Sequence, residues 1–145
     1  MIRKNIKMRI LEGRNAAEWY AEEILSTPDI DVTQFRSSFL NYLCSKFLLK
    51  PSEITTDNFY EICQISVKKA VKMPSGALDA AETASKCGGA TTAMNKKVLF
   101  IMAVKREFGI NISPGESASL ETFTALCDCV YNKIKKKNAG GKEED

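Results

Sequence analysis

The side chains able to do chemistry crowd into one stretch, from Ser85 to Arg106. Cys87 stands ahead of Gly88-Gly89, and Thr92 opens a run rich in lysine and methionine. A thiol near a helix N-terminus, with Lys86 and Lys96 close in sequence, is placed to favour its thiolate and act as a nucleophile. Two glycines beside it let a ligand or another backbone approach. The plainer reading is a helix end, in which Gly88 closes one helix, Gly89 turns the chain and Cys87 is the last buried residue. Cys127 and Cys129 are spaced C-x-C, but the chain has 0 histidines and so lacks the usual zinc spacings. The same absence removes any Ser-His or Cys-His pair. Glu22-Glu23 and Asp79 with Glu82 read as helix-surface acids. No catalytic residue and no metal ligand is assigned.

Charge offers a second kind of chemistry. Lys96, Lys97, Lys105 and Arg106 follow one another along a single helical run, with Glu107 as its only acid. Such a face suits an acidic protein surface or an anionic ligand, because complementary charge governs which partner docks and how fast. A solvated helix face is the alternative. The net charge of +3 is too small and too dispersed for a strongly basic nucleic-acid binder. The basic "NKIKKK" near the C-terminus also suits a helix end, where cations favour the dipole. No apolar run reaches membrane-span length and no secretory leader is evident, so the chain reads as cytoplasmic. Five scattered cysteines in such a chain argue against a disulfide framework.

The elements that must position these residues are helices. Apolar spacing predicts one over 15–25, capped by Asn15, with Trp19 as a packing anchor. A second, over 33–49, carries Phe35, Phe39, Tyr42, Leu43 and Phe47 on one stripe. A third, over 58–73, opens on Asn58 with Glu61 three residues on. A fourth, alanine-rich, covers 75–87 and ends at Gly88. The longest candidate spans 92–108: Met94, Val98, Ile101, Met102 and Phe108 share one side, Leu99, Phe100 and Val104 widen it, and Gly109 ends it. The last, over about 119–136, places Leu120, Phe123, Leu126, Cys127 and Val130 together. The fold class is all-α with short connections.

Two stretches resemble the acyl carrier protein family. "FRSSFLNYLCSKFLLKPSEITTDNFYEI" (35–62) is similar to that family's first helix and the loop after it. "VLFIMAVKREFGINISPGESASLETFTALCDCVYNKI" (98–134) is similar to the second helix ending in Glu-Phe-Gly-Ile, an Ile-x-Ile link, a short third helix and a final one led in by Thr122-Phe123. The resemblance implies an acyl-carrier-protein-like four-helix bundle elaborated with extra helices. On this reading residues 1–32 are an N-terminal extension with one helix. Residues 33–136 are the bundle with an inserted segment at about 63–88, and 137–145 form a disordered tail.

Members of that family carry phosphopantetheine on a serine in Gly-x-Asp-Ser-Leu, at the start of the second helix, where the helix N-terminus favours the phosphodiester. Counting back about four turns from Phe108 reaches Met94, which has no hydroxyl. Aligning on Gly89 instead puts Thr92 in the serine's place, still without the acidic residue. The family's second helix is also acidic, whereas this one presents Lys96, Lys97, Lys105 and Arg106. The expected function is a non-enzymatic binding module that docks on a partner protein with an acidic face, without cofactor and without membrane. The alternative is a divergent acyl or peptidyl carrier with phosphopantetheine on Thr92 or a nearby serine. A third reading is a thiol-dependent acceptor or enzyme that uses Cys87 with Gly88 and Gly89.

Overall fold

A short side chain that accepts a hydrogen bond from the first turn marks where most of the helices begin. In the computed structural model, which describes residues 15–71 and 92–138, helix α1 covers 15–25 and α2 covers Val32–Phe47. A 3-10 turn at Pro51–Glu53 leads to α3, Phe59–Val71. Then come α4, Ala93–Phe108; α5, Pro114–Ser119; and α6, Phe123–Asn138. Asp31 accepts from the Gln34 N–H at 2.8 Å and Asn58 from the Glu61 N–H at 2.9 Å. At α5, Ser113 and Glu116 cap each other reciprocally, with Pro114 in the first turn. Among the described residues the chain is all-α, with one isolated backbone bridge between Asn58 and Thr122. None of their helices is long and apolar enough to cross a membrane.

The core is aromatic because α2 delivers its rings along one stripe. Phe39 lies 5.3–6.0 Å, centroid to centroid, from Phe35, Tyr42, Phe100, Phe108 and Phe123. Phe100 of α4 also meets Phe47 and Phe59, so α2, α3 and α4 share one cluster. Edge and offset contacts of this kind add about 0.5–1.5 kcal/mol per pair beyond simple burial. The bridge then clips two helix starts together. The Phe123 N–H donates to the Asp57 carbonyl at 2.7 Å, and the Phe59 N–H to that of Glu121 at 2.9 Å. The Asp57 carboxylate accepts from the Thr124 N–H at 3.1 Å, and the Thr122 hydroxyl from the Ala125 N–H at 3.0 Å.

Several expectations change. Residue 15 is already helical, so Asn15 is not the cap. Trp19 is no packing anchor: it is 58% exposed while Ala17, Ala21 and Ile24 bury the inner face of α1. Helix α2 stops at Phe47, where Leu48 turns left-handed at φ 57° and the Leu49 N–H closes on the Cys44 carbonyl at 2.9 Å. The helix expected over 119–136 is interrupted at Leu120–Thr122, since that link forms the bridge. It also runs on to Asn138, so Lys137 is helical rather than tail. Residues 63–71 continue α3, with Cys63, Ser66 and Ala70 buried and the Ser66 hydroxyl donating to the Phe47 carbonyl at 2.8 Å. The rest of the expected insertion, including the helix at 75–87, lies outside the described residues.

Candidate functional site

Helix α4 has two very different faces. Spacing of three and four residues turns Ala93, Lys96, Phe100, Ala103, Val104 and Phe108 inward, and all are buried. Lys96 therefore does not belong to the docking surface expected for it. It is fully buried, with Nζ 5.1 Å from the centroid of the Phe47 ring. Sequence reading counted the charge and not the helical register. The outward side carries Met94, Val98 and Met102, 55%, 49% and 53% exposed. These three were expected to join Ile101 and Phe108 on one buried side. Ile101 and Phe108 are buried, but a helix packed on α3 along one flank cannot bury so wide an apolar arc.

Steps of four residues place Met94, Val98 and Met102 in one stripe about 12 Å long. Lys97 and Lys105 beside it are half-buried, and the Arg106 side chain is 68% exposed. Glu107, the single acid of this run, is turned away from the stripe. Its carboxylate accepts from the Tyr42 hydroxyl at 2.6 Å and from Lys46 Nζ at 2.9 Å, with Arg106 at 3.5 Å. Apolar side chains whose charged neighbours on α4 are cations can bind an apolar surface rimmed by acids.

Thr92 caps the same helix. Its backbone is extended, at φ −124° and ψ 151°, and its Oγ1 accepts from the Asn95 N–H at 3.1 Å. The exposed hydroxyl borders a cavity of about 260 Å³ between α3 and α4, lined also by Tyr60, Gln64, Val67, Lys68 and Ala93. No acid lies in the first turn of α4. Cys87, Gly88 and Gly89 lie outside the described residues.

The described thiols are mostly closed off. Burial pushes Cys44 up to about 11 and Cys127 up to about 12, which disfavours the thiolate. Cys63 is fully buried, and Cys129 is half-buried beside a groove between α5 and α6. Two residues apart on a helix, Cys127 and Cys129 point about 200° away from each other. Among the described residues no group of three or more Cys, Asp or Glu side chains is placed to hold a metal ion.

No protein family, curated protein or solved structure matches this chain.

Proposed function

We propose that this chain is a non-enzymatic binding module, an acyl-carrier-protein-like bundle without the usual phosphopantetheine serine, that docks on a partner protein through α4. The observation that carries the reading is the exposed stripe Met94–Val98–Met102, rimmed by Lys97, Lys105 and Arg106. Three half-exposed apolar side chains in register are more than scattered surface hydrophobes and mark an interaction surface. Methionine suits a contact that must adapt its shape. Met94, which stands where the resemblance would put the modified serine, has no hydroxyl to esterify. The partner has an acidic face with apolar side chains at its centre.

A photo-reactive residue in place of Met102 tests docking. Cross-linked product is expected from position 102 and not from exposed Asn132 on α6, and it disappears when Lys97, Lys105 and Arg106 become glutamate. Absence of product from position 102 overturns the reading.

One observation favours a second reading, that of a divergent carrier. The Thr92 hydroxyl is exposed at a helix N-terminus beside the α3–α4 cavity, where the helix dipole favours a phosphodiester. Incubation with coenzyme A and a promiscuous phosphopantetheinyl transferase, followed by intact mass, separates the two. Unchanged mass on the folded protein fits the docking module. Gain of one phosphopantetheine, lost in Thr92→Ala, would make it a carrier.

A further inference from the structure

We propose that the partner docked by α4 is a second copy of this chain, which presents the outer face of α1. This rests on the docking reading above and names its partner.

Trp19 is more than half exposed and stands edge-on to Tyr20 at 5.1 Å, with an interplanar angle of 83°. Glu22 and Glu23 follow it at three and four residues, so they lie on its side of the helix, with Glu18 beside it. All three carboxylates are exposed. A large ring with acids around it is the counterpart of the α4 face, which has three apolar side chains with Lys97, Lys105 and Arg106 around them. Each face is exposed in the single chain, so neither covers the other within one molecule. The sign of charge is opposite at the rims and both centres are apolar, which is the arrangement of a docked pair. Tryptophan is among the residues that anchor such contacts.

The two faces differ, so the contact is heterologous. Two copies can make it twice about a two-fold axis, or many copies can make it head to tail. A contact built on one ring and three apolar side chains is small, so association is weak and salt-sensitive.

The test uses the whole chain and its single tryptophan. In sedimentation velocity the wild-type chain is expected to self-associate as its concentration rises. Trp19 emission should move to shorter wavelength in step, and added salt should reverse both. Glu18→Lys, Glu22→Lys and Glu23→Lys together should weaken association about tenfold or more, as should Lys97→Glu, Lys105→Glu and Arg106→Glu. Each triple variant carries one sign of charge on both faces. In an equimolar mixture, however, the cationic faces of one meet the acidic faces of the other, so the mixture should associate. One chain bearing all six changes should likewise recover association to within about threefold. Circular dichroism confirms that each variant is folded, and Trp19→Ala gives an independent loss without any change of charge. A wild-type chain that stays monomeric with unshifted emission overturns the proposal, as does association indifferent to both reversals. The position-102 cross-link tells the two readings apart. Product at a whole multiple of the chain's own mass supports the second copy, product at any other mass overturns it but leaves α4 as a docking face, and no product overturns both.

Discussion

Lys137, near the end of α6, holds its ammonium 3.1 Å from the carbonyl oxygen of Gly109, the residue that closes α4. The same Nζ reaches the Phe108 carbonyl at 3.1 Å, so one helix end satisfies the orphan carbonyls of another. Gly109 is left-handed at φ 63°, and a Cβ built on it would lie 2.6 Å from Lys137 Nζ. Gly109→Ala should therefore destabilise the chain by about 1–2 kcal/mol from the backbone, plus the displaced lysine. In denaturant unfolding, Lys137→Met should have a smaller effect in the Gly109→Ala chain than in the wild type, because the contact is already disturbed.

The Tyr42–Glu107–Lys46 group ties α2 to the last turn of α4. Tyr42 is fully buried, and its hydrogen bond goes to a carboxylate, so Tyr42→Phe should lower stability by about 1.5–3 kcal/mol. Glu107→Ala should lower it further, since Lys46, whose side chain is 10% exposed, then loses its partner. Unfolding free energies of the two variants and their double mutant check the coupling.

Neighbouring lysines on α4 should behave very differently. Lys96→Glu places an acid in the interior beside the Phe47 ring and should cost about 3 kcal/mol or more. Lys97→Glu should stay within about 0.5 kcal/mol. Thermal melts separate them, and only Lys97→Glu should weaken docking while leaving the fold intact.

Stability should fall at both ends of the pH range. Cys127 is raised from 9.0 to about 12 and Cys44 from 9.0 to about 11. Their protonated forms therefore favour the fold fully below pH 9. That contribution is lost as pH climbs toward 11–12, because the unfolded chain ionises first. On the acid side, the Lys50 backbone N–H and then Lys69 hold Glu53 below its usual value, and the Ser113 N–H and then Lys133 do so for Glu116. Those contributions are present above about pH 4.5 and fade as the carboxylates protonate below it. Urea midpoints across pH should show a plateau between the two falls. Cys44→Ala with Cys127→Ala should flatten the alkaline one.

Thr92→Ala removes the cap of α4 and should lower stability by about 1 kcal/mol. Thr92→Ser, which keeps the Oγ acceptor for the Asn95 N–H, should stay near wild type in thermal melts. Both variants are then usable in the mass experiment.

Sequence alone determined where most helices lie and which face α2 buries. Phe35, Phe39, Tyr42, Leu43 and Phe47 repeat at the helical period, and all five are buried, because such a stripe has no stable place other than a core. It also marked Asn58 and Gly109, whose side-chain oxygen or left-handed freedom acts within three or four residues of chain. Tertiary structure decided what local pattern leaves open. Apolar side chains surround α4 on an arc wider than its neighbours can cover, so only packing against α2 and α3 settles which are hidden. It leaves Met94, Val98 and Met102 outside and draws Lys96 in under Phe47. Trp19 is exposed for a related reason: Ala17, Ala21 and Ile24 take the inner face of α1, and Trp19, two residues from each alanine, falls on the opposite side. The contacts of Lys137 with Gly109 and of Tyr42 with Glu107 join residues 28 and 65 positions apart. Sequence spacing carries no record of such pairs, because they exist only once the helices are packed.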